Sequence, residues 1–231
     1  MADFILPRRP CVSCELPRFR LKEPGSAITH FIGVVLSVLA TPPLLIHGAE
    51  RGMTTFQLAG LSVFLLSMIG LYSASTAYHS FNLPGGRNRI LKKLDHSMIF
   101  VLIAGTYTPI CLTALAGHGG EGLLMKVWAV ALAGIVMKLF WVTHPKWLSS
   151  VLYIGMGWLC LTELGNLIAR LPKAGFLWLL AGGVLYTIGG VIYALKLKRL
   201  NELHPNFGSH EIFHLFVLAG TACQYVTMFY L

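Results

Sequence analysis

The sequence predicts an all-α integral membrane protein, a bundle of seven transmembrane helices with its N-terminus in the cytoplasm. Three observations carry that prediction. Of 231 residues, 55% are hydrophobic and only 12% are charged, whereas a soluble domain carries about 25% charged residues. Mean hydropathy is +0.69. Seven stretches, 27–46, 56–79, 95–116, 123–142, 147–168, 175–196 and 210–231, each approach the roughly 20 apolar residues that cross a bilayer as a helix. Finally, Lys and Arg are distributed unevenly between alternate ends of these stretches, and cytoplasmic segments carry the excess.

The elements follow in chain order. A basic segment, 1–24, precedes a membrane domain that occupies 25–231. The first span ends at His-Gly-Ala-Glu-Arg-Gly, 47–52, and the second before Leu-Pro-Gly-Gly, 83–86. Gly-His-Gly-Gly, 117–120, separates the third from the fourth, and Leu-Pro-Lys, 171–173, the fifth from the sixth. These are continuous apolar runs and not ten-residue alternating strands, so a closed barrel is not expected. No apolar core occurs in the first 24 residues, so no cleavable signal peptide is expected.

With the N-terminus inside, the inner segments and helix ends hold Arg8, Arg9, Arg18, Arg20, Lys22, Arg87, Arg89, Lys92, Lys93, Lys138, Lys146, Lys196, Lys198 and Arg199. The outer ones hold Arg51, Lys126, Arg170 and Lys173, a ratio of 14 to 4. The same distribution accounts for the net charge of +9 without a nucleic-acid partner. It also argues against G-protein-coupled receptors and rhodopsins, whose N-termini lie outside. A retinal protein further needs a lysine in its last helix, and 210–231 has none. Of five cysteines, Cys111, Cys160 and Cys223 lie in apolar runs as small hydrophobes, and Cys11 and Cys14 form a lone C-x-x-C that makes no zinc ribbon.

Ionisable residues within spans are costly and mark function by default. Here they share one depth. Ser75 and His79 close the second helix, Asp95 opens the third, and His210, Glu211 and His214 open the seventh, all toward the cytoplasmic face. His210 and His214 are four apart, so their rings lie on one helix face, the spacing with which two imidazoles grip one zinc ion. His79 supplies a third imidazole, which leaves the fourth tetrahedral position open as in catalytic zinc sites. Asp95 is then placed to hold or deprotonate a metal-bound water. Plainer roles compete: Asp95 pairing with Lys92 or Arg89, and Ser75 bonding back to a helix carbonyl. His47, His118, His144 and His204 read as interfacial hydrogen-bonders, and Glu163 as the clearest mid-membrane ionisable group.

His210-Glu211-Ile212-Phe213-His214 also satisfies H-E-x-x-H, in which the glutamate of a metalloprotease is the general base. No His, Asp or Glu follows His214, so a third ligand must come from upstream and the usual protease arrangement is lost.

Ser75-x-x-x-His79, Asp95 and His210-x-x-x-His214 on helices 2, 3 and 7 of an N-inside bundle resemble the progestin and adiponectin receptor (PAQR) family, and most of all its bacterial hemolysin III branch. Glu23-Pro-Gly-Ser-Ala-Ile-Thr29-His30-Phe-Ile-Gly33 resembles the family's E-x-x-N-x-x-T-H-x-x-G opening, with Ser26 in place of Asn, and Gly105-Thr-Tyr-Thr-Pro109 is a further segment typical of that branch. The resemblance covers about 23–231. It implies zinc on His79, His210 and His214, Asp95 on the metal-bound water, and a relationship to alkaline ceramidases; Glu23 and His30, at the same cytoplasmic level, read as structural or as supports to the ligands.

The expected function is therefore that of a zinc-dependent hydrolase of a membrane-lipid amide or ester, in the cell membrane with its metal site near the cytoplasmic face. A non-catalytic sensor or regulator of lipid state with structural zinc is the first alternative. A hemolysin-type cytolysin is the second, although an aqueous pore requires polar lining through the full depth.

Overall fold

The structure is a computed structural model that describes residues 21–84, 86–141, 143, 145–195 and 208–231. Cys11, Cys14, Arg8, Arg9, Arg18, Arg20, His144, Lys196, Lys198, Arg199 and His204 lie outside the described residues. The described chain is helical and contains no strand. Its elements are α1 (Pro24–Glu50), α2 (Thr55–Ser80), α3 (Arg87–Leu112), α4 (Gly120–Phe140), α5 (Lys146–Gly157), a 3-10 segment (Trp158–Glu163), α6 (Leu164–Arg170), α7 (Lys173–Leu195) and α8 (Ser209–Met228).

Six segments are long and apolar enough to cross a membrane: α1, α2, α3, α4, the run Trp147–Arg170 and α7. The chain is thus a multi-pass membrane protein. The 20 residues of α8 rise about 30 Å. Its first turns carry His210, Glu211 and His214, and Gln224 lies toward its other end.

The helices extend past their apolar runs because their ends are satisfied locally. In α2, the Thr54 side chain accepts from the Gln57 N–H while the Gln57 side chain accepts from the Thr54 N–H, the reciprocal pattern that closes a helix start. Gly86 precedes α3 with φ 78°, a left-handed turn natural to glycine. From there α3 winds through the basic run 87–93, so Asp95 lies about two turns inside the helix rather than opening it.

The expected fifth helix is interrupted. Tyr107 of α3 donates to the Gly157 carbonyl at 2.6 Å and accepts from the Cys160 N–H at 2.9 Å. One phenol thus stands in for backbone partners, and the helix tightens into 3-10 geometry at that point. Glu163 ends this segment and accepts from Asn166, which also donates to the His118 carbonyl. It therefore sits beside the α3–α4 loop and not at mid-membrane.

The helices close into a ring. α1, α2, α3 and α4 pack in sequence, α5 packs on α3 and α7, α7 packs on α8, and α8 returns to α1. Tyr225 donates to the Ala40 carbonyl at 2.9 Å across that last seam. α2 and α3 are central, with 56% and 67% of their apolar windows buried against 22% for α1, α4 and α7. The outer faces present Phe31, Leu39, Phe56, Leu66, Met125 and Phe140, a surface suited to lipid. Lys138 of α4 is fully buried and donates to Ser149 at 2.7 Å, which joins α4 to α5.

Small residues set the spacing, as in other membrane bundles. A Cβ on Gly33 would meet Tyr72 Cγ at 2.8 Å and a Leu218 methyl at 2.9 Å, so α1 sits against α2 and α8 only without a side chain there. Gly33→Ala is expected to destabilise the bundle by about 1–3 kcal/mol, the usual cost of overpacking. Gly155 has open space around it, and Gly155→Ala should be neutral or stabilising by about 0.5–1 kcal/mol. Thermal unfolding in detergent, followed by intrinsic fluorescence, compares the two. Equal transitions for both variants would contradict the close packing of α1.

Candidate metal centre

The site is assembled from the end of α2 and the starts of α1 and α8. The last carbonyls of a helix have no intrahelical donor. In α2 two of them are satisfied by the chain entering α1: the Glu23 N–H donates to the His79 carbonyl at 2.9 Å and the Lys22 N–H to the Ser80 carbonyl at 3.3 Å. This short pairing brings the Glu23 carboxylate onto His79 Nδ1, to which it is hydrogen-bonded. With Nδ1 engaged, His79 directs Nε2 inward.

α8 starts with a second clasp. The Gly208 N–H donates to Glu211 Oε2 at 2.8 Å, and Ser26 of α1 donates to Glu211 Oε1 at 2.7 Å. Glu211 thereby caps its own helix and ties it to α1. Ser26, where the resembling motif has Asn, keeps a hydrogen-bond donor at this join.

Between these clasps lie His79, His210 and His214, whose ligand nitrogens all fall within 4.8 Å of one another. His79 Nε2 and His210 Nε2 are 3.3 Å apart. Two imidazole nitrogens bound to one tetrahedral zinc at about 2.0–2.1 Å stand about 3.3 Å apart, so this pair already has the spacing of a shared ion. His79 and His214 are nearly fully buried. His30 stacks on His214 with ring centroids 3.7 Å apart and planes 9° from parallel, and it meets the Tyr72 ring edge-on. Its position fixes the ring plane of His214. The trio can hold a metal ion.

Asp95 and Ser75 face the cavity that His30, His210 and His214 also line. Asp95 accepts from His96 Nδ1 at 3.0 Å and pairs with neither Lys92 nor Arg89. Ser75 Oγ is buried without a hydrogen-bond partner, so it does not bond back to its own helix. The backbone carbonyl of His96 accepts from Tyr153 at 2.8 Å, which ties the Asp95 turn to α5. Sequence reasoning passed over His96; its adjacency to Asp95 was the available signal. His47 lies at the other end, 3.2 Å from the Phe229 carbonyl, and His118 bonds within its loop and to Arg170.

The cavity has a volume of about 160 Å³. Its lining on α3 runs from Asp95 to Ile110, about 22 Å of helix. Away from the metal end the wall is mostly apolar, with Leu71, Leu102, Leu123, Leu167 and Val217 contributing.

Glu23 lies outside the spans, and the hydrogen bond from His79 pulls its carboxyl below the ordinary 4.5 to about 2, against burial, which acts in the opposite direction. A depressed carboxyl stabilises the fold above its ordinary value, and that contribution fades as pH falls from about 4.5 through about 2.

Comparison with known proteins gives the family. The family model described as "Haemolysin-III related" matches residues 19–225. The chain belongs to the haemolysin III family. Its relatives include the hemolysin-3 homolog of Bacillus subtilis (strain 168), 41% identical over 208 residues that span 90% of this chain and 93% of that protein. Hemolysin-3 of Bacillus cereus is 38% identical over 211 residues, 91% of this chain and 92% of the relative. The adiponectin receptor protein of Drosophila melanogaster is 22% identical over 255 residues, 92% of this chain and 51% of the receptor. The three residue sets that carry the resemblance, 23–33 at the start of α1, 105–109 on α3, and Ser75, His79, Asp95, His210 and His214 across α2, α3 and α8, fall inside the matched region.

Alanine at His79, His210 or His214 is expected to remove most bound metal, since each leaves two ligands of three. Glu23→Gln should weaken metal binding by about 10–100-fold while leaving the site formed, the usual effect of losing a ligand's outer hydrogen bond. His47→Ala and His118→Ala should retain wild-type metal content. Metal analysis of the purified variants by mass spectrometry reads all of these, and loss from either distal variant would overturn the assignment.

Proposed function

We propose that this haemolysin III family chain is a zinc-dependent hydrolase that cleaves an amide or ester of a membrane lipid. The reading rests on one observation: His210 and His214 of the histidine trio line a long, mostly apolar cavity whose polar end carries Asp95 and Ser75. A lipid tail suits such a wall, and its amide or ester would lie at the polar end. The resemblance to a group that includes alkaline ceramidases supports the same chemistry.

His79, His210 and His214 would hold the ion. Zinc, when bound, supplies Lewis acidity and lowers the pKa of coordinated water to about 7. Asp95 takes the proton of the attacking water and returns it to the departing amine or alcohol, which is the work of a general base and then acid. His96 holds the Asp95 carboxylate in place while this happens. Ser75, one turn from His79, donates its free hydroxyl to the developing oxyanion. Glu211 has both oxygens engaged in the α1–α8 clasp, which disfavours the protease-like assignment of that residue as base.

In this reading the chain crosses the membrane seven times, with α8 as the last span and the N-terminus in the cytoplasm, which puts the metal centre near the cytoplasmic face. The basic run 87–93 at the metal end and the 14 to 4 distribution of Lys and Arg support the orientation. The relatives' name points instead to lysis, but the mostly apolar wall of the cavity does not suit an aqueous pore.

Asp95→Asn is expected to keep zinc and lose hydrolysis of a ceramide or ester substrate by at least about 100-fold. Ser75→Ala should lose about 10²–10³-fold, the effect of removing one oxyanion donor, and Glu211→Gln should retain most turnover. An inactive Glu211→Gln beside an active Asp95→Asn would transfer the base role to Glu211. Fully zinc-loaded wild-type protein without turnover on any lipid would replace the enzyme with a sensor. For topology, a membrane-impermeant thiol reagent applied to intact cells should label Arg51→Cys and not Arg89→Cys in a cysteine-free background. The reverse pattern would invert the bundle.

A further inference from the structure

The far end of the cavity holds a polar side chain that hydrolysis does not use. Gln224 of α8 lines the cavity and is 3% exposed. Its Nε2 donates to the Leu179 carbonyl of α7 at 3.1 Å. Only the NH₂ end of an amide can satisfy a carbonyl, so this bond settles which way the amide points. The other end, Oε1, is buried and has no hydrogen-bond partner.

Room for this arrangement comes from α7. A Cβ on Gly182 would come within 3.0 Å of Gln224 Cδ and of the Gly220 carbonyl. The absence of a side chain at Gly182 lets the amide reach Leu179.

A buried acceptor without a donor is rare and calls for an explanation. The other cavity-lining side chains with unpartnered buried atoms include His30, Ser75, Ser150 and His214, all toward the metal end. Thr106 and Thr187 also line the cavity, but they donate to the Leu102 and Gly183 carbonyls of their own helices. A bound water needs two to four polar partners; Leu167, Phe176 and Leu180 of the far wall offer none, and the Tyr186 hydroxyl is already engaged with Thr221. A donor carried by the ligand itself fits better.

We propose that Gln224 is a specificity subsite that accepts a hydrogen bond from a hydroxyl on the acyl chain, so that the cavity selects hydroxylated chains over plain ones. This rests on the reading of the cavity as the acyl-chain site of a lipid whose polar group lies at the metal centre. Ten residues of α8 separate His214 from Gln224, so the selected hydroxyl lies about 15 Å along the chain from that polar group.

The test is a competition binding assay on the full-length, zinc-loaded protein in detergent. The probes are octadecanoic acid and two hydroxyoctadecanoic acids, one with its hydroxyl about 15 Å from the carboxyl and one with it near the carboxyl. Wild type should bind the matched hydroxy acid about tenfold more tightly than octadecanoic acid, the value of one well-made hydrogen bond. The mismatched isomer should show no such gain. Gln224→Met, similar in length but without the acceptor, should bind octadecanoic acid at least as well as wild type, which certifies its fold, and lose the preference. Equal affinities in wild type, a preference indifferent to hydroxyl position, or one that survives in Gln224→Met overturns the subsite while acyl-chain binding stands. Failure of wild type to bind any of the three acids removes the acyl-chain reading, and the subsite with it.

Discussion

The contact between Glu23 and the last turn of α2 governs the metal end of the molecule. One residue does two things there. Its N–H satisfies a carbonyl that the helix end leaves open, and its carboxylate takes His79 Nδ1. The direction of α1 and the direction of the His79 ring are therefore set together. Three residues on, Ser26 grips Glu211 and so draws the start of α8 to the same place. The first turn of α1 thus holds α2 and α8 at the distance that lets three imidazoles converge. Below that turn, Gly33 lets α1 lie close enough to Tyr72 and Leu218 to keep the register.

Electrostatics explains why the polar groups gather at one end of the bundle. Three neutral imidazoles leave the charge of a divalent ion uncompensated, and charge within a bilayer is costly. Glu23 on the outer side of His79 and Asp95 on the cavity side supply two negative charges nearby. His96 holds the second of these, and Tyr153 secures that turn of α3 to α5. Further along, the cavity wall turns apolar. A cluster of histidines and a carboxylate at one end and an apolar cavity beyond it is the arrangement that the proposed lipid hydrolase would require.

Much of this was legible in the sequence because membrane physics is restrictive. A helix must satisfy its own backbone, so the apolar runs announced helices, six of which are long and apolar enough to cross a membrane, and the i, i+4 spacing of His210 and His214 put both rings on one face. What stayed hidden depended on contacts distant in sequence. The break in the fifth span is made by Tyr107, some 50 positions upstream. Asp95 was expected at a helix start because the hydropathy begins there, yet α3 is already two turns old, since basic side chains are good helix formers. Glu163 was expected at mid-membrane and instead faces the α3–α4 loop with Asn166. His96 was overlooked beside a more conspicuous carboxylate. Spacing within one helix is visible in sequence, whereas the neighbour across a helix pair is not.

X-ray absorption at the zinc edge of the purified, metal-loaded protein tests the central claim most directly. The account predicts a nitrogen and oxygen shell at about 2.0–2.1 Å with the multiple-scattering signature of three imidazoles. A shell dominated by sulfur at about 2.3 Å, or the signature of a single imidazole, would contradict it.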